Sequence, residues 1–401
     1  MTRLVDVVNF NADASCLAAG EWLAILGGGE SSRLCQWLSS FAKLRKPVVL
    51  GFMGGAIADI AIFNPEAIVL INANRSVFDL VLRPFSHDVG LLRSGPGFRL
   101  NLELGRAVAR REFHDVNEFF LPPEFMLTNS QVKNLADSGS AGTFLNPTRF
   151  KEEISHRLPK VPFVLEGVLG SRLPCIPVDG SLTPIYLDAL HNFDCSAWTE
   201  AVRSDSAAPV FLWRDGESCF LVPDGLERER HWLAAEASSI QRETLGSALA
   251  GLHFAAANEL SGDTSLSYPV HSFSAWFKEF RMLGFLDRLA GLEARLNSLS
   301  RDLLVVWLQA INSDILSAVE KNSPVVSLLS PPGFAQVKAR HTIWRSERGF
   351  EGEDYLALLE AALESPIALE QIWTSTQPHL RKLCARIEYV RRLDSGSPTA
   401  P

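Results

Sequence analysis

The sequence predicts an α/β fold followed by a helical region, on three observations. Short, strongly apolar runs alternate with helix-like stretches through the first half of the chain. The runs carry little polar alternation, which suits strands covered on both faces, as in a parallel sheet or a barrel. From about Asp224 onward the pattern changes to helical periodicity with interleaved charges, as in DGLERERHWLAAEASSIQRETLGSALAGLHFAAANEL.

Taken in order, the candidate strands are LVDVVNF (4–10), PVVLGF (47–52), FDLVLRPF (78–85), EFFLP (118–122), GTFLN (142–146), PFVLEGV (162–168) and PVFLWRD (209–215). The helix between the fourth and fifth has readable ends: TNSQVKNLADSG offers Thr128 or Asn129 as N-cap and Gly139 as the stop. Further helices are expected in HSFSAWFKEFRMLGFLDRLAGLEARLNSL, RDLLVVWLQAINSDILSAVEK and EDYLALLEAALESPIALEQIW. The expected organisation is a catalytic α/β unit over 1–235, a helical region over 236–392 that packs on it and contributes to its cleft, and a disordered tail over 393–401. No repeat of solenoid length is present in the sequence.

With 401 residues, 47% of them hydrophobic, the chain is long enough to bury a sizeable core. A formal charge of −8 argues against a nucleic-acid partner, because neutralising phosphates requires clustered Lys and Arg, and a neutral substrate fits better. The basic group Lys338, Arg340, His341, Arg345 and Arg348 reads as a solvated face. Neither a leader-like first ten residues nor an uncharged apolar run of membrane-spanning length is found, so no membrane partner and a cytoplasmic location are expected. Six scattered cysteines without CxxC pairs suit reduced core thiols.

In a parallel α/β barrel, catalytic groups collect where strands end. That criterion selects Asn9 and Asn11 after the first candidate strand, His87 and Asp88 after the third, Glu124 after the fourth, Asn146 after the fifth, Glu166 in the sixth and Asp215 closing the seventh. Glu124 and Asp215 form the pair that glycoside chemistry requires: a carboxylate for the anomeric carbon and a carboxylic acid for the leaving oxygen.

The runs GFMGGAIADIAIFNPEAIVLI, VFDLVLRPFSHDVGLL, FLPPEFMLTNSQVKNLADSGSAGTFLNP and PVFLWRDGES, in this order and spacing, resemble glycoside hydrolase family 57. The resemblance implies a seven-stranded (β/α)7-type barrel followed by helices, and a retaining hydrolase or transglycosylase acting on α-linked sugars without a metal or other cofactor. It implies that Glu124, in FLPPEFMLTN, is the nucleophile and that Asp215, in the Asp215-Gly216-Glu217 segment, is the general acid. SHDVGLL resembles the segment that carries a sugar-contacting His, which implies a substrate role for His87. WLQAINSDIL resembles the family's late helical motif, which places Gln309, Asn312 and Asp314 in the cleft, and Trp213 beside Asp215 offers an aromatic face to a sugar. The chain departs from the family at its first strand, where VNFNADASC replaces a His-Gln-Pro segment. Asn9, Asn11 and Asp13 stand there instead, and amides can hydrogen-bond sugar hydroxyls, so a retuned pocket is expected. The shorter chain suits a substrate smaller than a polysaccharide.

Two other classes carry an alternative. A sugar-binding or scaffold protein that keeps the barrel without turnover is one, and the altered first strand is its best support. A polysaccharide deacetylase-like enzyme is the other, although no two histidines stand four apart as its metal site would want. The glycine-rich runs lack nucleotide-binding spacing, and no serine-hydrolase elbow is present in the sequence.

Overall fold

Seven parallel strands curl around a common axis in the computed structural model, which describes residues 1–13, 17, 19–88, 90, 93–147, 161–192, 195–203, 208–221, 224–250, 252–259, 280–312, 354–365 and 367–395. In chain order the strands are β1 (Thr2–Phe10), β2 (Val48–Phe52), β3 (Phe78–Leu82), β4 (Asn117–Phe120), β5 (Gly142–Leu145), β6 (Phe163–Glu166), β7 (Arg172–Pro177), β8 (Val210–Asp215), β9 (Ile240–Arg242) and β10 (Ala255–Glu259). The ring runs β8-β1-β2-β3-β4-β5-β7, every neighbour parallel. Its two ends meet just past β7, where Asp179 bridges Leu212 of β8 and its N–H donates to Phe211 O at 2.8 Å. The (β/α)7-type barrel expected from the sequence is thus present, and the apolar runs of β1 and β2 are buried on both faces as their composition demands.

One barrel strand differs from the expectation. PFVLEGV supplies β6, which pairs antiparallel with β7 outside the ring, and the ring strand is RLPCIP, which the sequence reading did not select. Pro174 and Pro177 remove two ladder donors from that run and mask it as a loop. Glu166 consequently pairs with Arg172 at the amino end of β7 and lies away from the carboxyl edge. The turn between β6 and β7 places Leu169 and Gly170 in the left-handed region, at φ 56° and 69°. Beyond position 235, β9 extends the sheet alongside the start of β1 and β10 pairs with β6.

Helices cover the outside of the ring. The helix Asn129–Asp137 follows β4 with a full capping box between Thr128 and Gln131, and Gly139 ends it at φ 77°, as the sequence predicts. The helix Gly95–Glu112 packs so closely on the end of β3 that a side chain at Gly105 would sit 2.3 Å from Arg83 O. In the second half, the helix Arg301–Ala310 is buried from Leu303 to Ala310 and packs against Pro378–Asp394, which also lies on Gly54–Phe63. That last helix runs through Asp394, and the expected tail from 396 on, like the basic group 338–348 and the run DILSAVEK, lies outside the described residues. Among the described residues no single helix is long and apolar enough to cross a membrane, and Cys35, Cys175, Cys219 and Cys384 are buried free thiols.

The outward face of β8 is fixed by a buried ionic network. Arg214 donates to Asp6 of β1 at 2.9 and 3.0 Å and pairs with Glu229 at 2.7 Å, while Arg242 reaches Asp6 at 2.5 Å. Tyr186 lies under the Arg214 guanidinium at 4.6 Å and donates to Glu229. Arg214 and Arg242 pull the Asp6 carboxyl below its ordinary range against the opposing effect of burial. Alternation along β8 then turns Trp213 and Asp215, on either side of Arg214, toward the ring interior.

Candidate active site

Glu124 stands just beyond β4. Pro122 and Pro123 restrict the approach, and both Glu124 (φ 52°) and Phe125 (φ 56°) adopt the left-handed region that non-glycine residues avoid. Each such residue costs about 1–3 kcal/mol and persists only where its surroundings hold it. Here the hold comes from Phe125 N–H and Met126 N–H, which donate to Pro122 O and Pro123 O at 3.0 Å each. The capped helix that starts at Asn129 anchors the far side. The strained turn lifts the Glu124 side chain to one-third exposure, while its neighbours Pro123 and Phe125 are buried.

Asp215 closes β8 opposite Asn9 of β1. Asn9 Nδ2 donates to Asp215 Oδ1 at 2.9 Å, and Gly216 N–H donates to Asn9 O at 2.7 Å. Asp215 is exposed, and Glu217 two residues on is buried and accepts the Asn11 N–H. Burial, reinforced by the nearby Asp215 charge, pushes the Glu217 carboxyl well above the ordinary carboxylate range. The Asn11 N–H and the Arg83 charge oppose that rise and do not cancel it. Glu217 is thereby biased toward its protonated form, beside a carboxyl group that faces solvent.

The two motifs converge through aromatic packing. Phe125, next to Glu124, sets its ring edge-on to Trp213 with centroids 5.1 Å apart, and Trp213 shares an inward face with Asp215. Glu124 and Asp215 thus both stand at the carboxyl edge of one ring, each beside a member of that aromatic pair. His87 belongs to that edge as well: its Nε2 lies 3.9 Å from Glu124 Oε1. The turn that carries it is pinned by Asn101, whose amide accepts from Ser86 N at 2.8 Å and donates to Ser86 O at 3.2 Å. Beside it, burial pushes the Asp88 carboxyl up to about 6, against the pull of Arg93 at 3.1 Å.

Of the residues singled out from sequence, His87 and Glu124 lie 3.9 Å apart beyond β3 and β4, and Asn9, Asn11 and Asp215 stand together where β1 and β8 end. Trp213 is there too but is buried in packing against Phe125. Asn146 is buried just past β5. Asp13 and Gln309 take part in a buried ion cluster with Lys382 and Arg386, and Asn312 donates to Asp13 at 3.4 Å. Asp314 lies outside the described residues. Two participants were not singled out from sequence. Glu217 appeared only as part of the Asp-Gly-Glu segment, although a carboxyl in an apolar stretch is itself a signal. Arg83 ends the apolar run FDLVLRP, and its stem crosses Gly51 of β2, where a Cβ would come within 3.1 Å of Arg83 Cδ and 2.7 Å of Leu121 Cδ2. That passage brings its charge from β3 toward β1, close enough to act on Glu217. Among the described residues no group of three His, Cys, Asp or Glu side chains is arranged to hold a metal ion.

No protein-family model matches the sequence, and no curated protein sequence does either. Solved structures do resemble the fold. The 4-α-glucanotransferase of Thermococcus litoralis aligns over 86% of this chain at 14% identity with a TM-score of 0.63, and this chain spans 59% of its length. An exo-type maltose-forming amylase of Pyrococcus sp. ST04 aligns over 96% of this chain and 83% of its own at 11% identity, TM-score 0.55. An α-mannosidase of Enterococcus faecalis V583 aligns over 89% of this chain and 43% of its own at 9% identity, TM-score 0.53. At these identities the likeness is one of fold, and the chemistry has to be argued from the side chains.

Proposed function

We propose that the protein is a retaining carbohydrate-active enzyme of the glycoside hydrolase family 57 type, acting on α-linked sugars as a hydrolase or transglycosylase. The observation that supports this reading is that Glu124 and Asp215 each stand at the carboxyl end of a ring strand, with their neighbours Phe125 and Trp213 in edge-on contact. The fold shared with a glucanotransferase and an amylase supports it.

In this mechanism a Glu124 oxygen bonds to the anomeric carbon as the glycosidic bond breaks, and the leaving oxygen takes the proton of Asp215. Asp215, now a carboxylate, removes a proton from an incoming water or sugar hydroxyl, whose oxygen displaces Glu124 and restores both groups. Asn9 fixes the Asp215 carboxyl through Oδ1. His87, 3.9 Å from the nucleophile, is placed to share a substrate hydroxyl with it. With Asn9 and Asn11 lining the first strand, the pocket offers amides to neutral hydroxyls, and a small oligosaccharide is the expected substrate.

The test is a screen of α-linked aryl glycosides and oligosaccharides with wild type, Glu124→Ala and Asp215→Asn. Turnover by wild type that falls in both variants is expected. Equal turnover in all three would remove the site assignment, and no turnover by wild type would favour a binding protein on the same barrel.

A further inference from the structure

Two cations from the helix Pro378–Asp394 close over the loop that follows β1. Lys382 Nζ donates to Ala12 O at 3.0 Å and to the Asp13 carboxylate. Arg386 Nη1 donates to Asp13 Oδ2 at 2.8 Å and to Gln309 Oε1, and its Nε and Nη2 hold Asp59 at 2.9 and 2.7 Å. Gly55 makes room for that guanidinium, since a Cβ there would lie 3.0 Å from Arg386 Cζ. All five side chains are buried, and two cations face two carboxylates. Asp13 and Gln309, expected on a sugar, are here bound to other parts of the chain.

What the cluster grips is the loop that serves the acid. Asp13 N–H donates to Asn11 Oδ1 at 3.1 Å, Asn11 N–H donates to the Glu217 carboxyl group, and Asn9 Nδ2 donates to Asp215 at 2.9 Å. Fixing Asp13 therefore fixes, two and four residues earlier, the donors that hold both carboxyl groups of the Asp-Gly-Glu segment. A helix outside the ring, some 370 positions along the chain, is thus linked through Asp13 and Asn11 to Glu217, two residues from the acid.

We propose that Lys382 and Arg386 are positioning residues for Asp215, acting through the Asn9–Asp13 loop. The helical region in this way completes the acid half of the site without touching substrate. The proposal rests on the reading of Asp215 as general acid. It also explains the chemistry of the pair: the planar fork of Arg386 spans Asp13 and Asp59 together, which an ammonium cannot do.

Leaving-group dependence separates positioning of an acid from general loosening. Phenyl α-glucoside, α-galactoside and α-mannoside need protonation of the departing oxygen, and the matching α-glycosyl fluorides need little. A misplacement of about 1 Å costs a catalytic group on the order of 100-fold. Arg386→Met is expected to lose about that much kcat/KM on the phenyl glycoside and only a few-fold on the fluoride. Arg386→Lys should fall between wild type and Arg386→Met, with unchanged circular dichroism. Lys382→Met is the second variant should Arg386→Met fail to fold, and it should show the same split. Asp215→Asn is the reference and should show the largest split. An Asp215→Asn protein without the split, or a wild type inert on every pair, sinks the underlying reading and the proposal with it. A split in Asp215→Asn with equal losses on both substrates in the Arg386 and Lys382 variants overturns the positioning role alone.

Discussion

The loop after β4 presents Glu124 through its own backbone, whereas the end of β8 presents Asp215 through hydrogen bonds from another strand. Around Glu124 the determinants are local: two prolines, two left-handed residues and a capped helix within fifteen positions. Around Asp215 they are distant, because Asn9, Asn11 and Glu217 meet only once β1 and β8 pair in register. A nucleophile must approach one carbon along one line, and a strained turn held from both sides gives that rigidity. An acid must exchange its proton, and an exposed carboxyl group held by an amide of the neighbouring strand can do so.

The largest expected effects fall on turnover. Glu124→Ala should lower kcat by on the order of 10⁵-fold by removing the covalent path, and Asp215→Asn by about 10²–10⁴-fold, in steady-state assays with an aryl glycoside. A reversed order would mean that the acid and nucleophile roles are exchanged. Next comes the outward side of β8. Arg214→Met leaves Asp6 and Glu229 buried without their shared cation and should cost about 3–5 kcal/mol of stability in denaturant titrations. The matching change on the local side, Glu124→Gly, relieves one left-handed residue and should raise stability by about 1 kcal/mol while abolishing turnover.

A smaller effect concerns pH. Because the folded-state pKa of Glu217 is raised, its contribution to stability is complete below the unfolded value, near 4.3, and is lost as pH rises through the folded value. Asp88, pushed up to about 6, acts in the same direction between about 4 and 6. Glu217→Gln keeps an acceptor for the Asn11 N–H and removes the titration. Its melting temperature should therefore gain on wild type as pH rises from 4 to 9. A constant difference across that range would show Glu217 to be ionised in the folded protein.

The contrast between the two presentations also explains what the sequence makes legible. LPPEFMLTNSQ announces a stiff turn and a capped helix, and both are in the structure because their causes lie within a few residues. Six of the seven ring strands are legible as apolar runs that suit a parallel sheet. RLPCIP escaped because its two prolines argue against a strand when its neighbours β5 and β8 are not in view. Asp13 and Gln309 illustrate the same limit at the site. Their polar side chains beside a strand end and in a late helix suit a sugar, and only the placement of Lys382 and Arg386 against them reveals an internal bond. Arg83 became visible as part of the site only through Gly51, a residue on another strand.

The covalent step at Glu124 is tested most directly by incubating the protein with a 2-deoxy-2-fluoro-α-glycosyl fluoride of the sugar it turns over and mapping the adduct by peptide mass spectrometry. A single glycosyl adduct on Glu124, absent in Glu124→Ala, is the expected result. An adduct on another carboxylate, or a product of inverted configuration without any adduct, would contradict it.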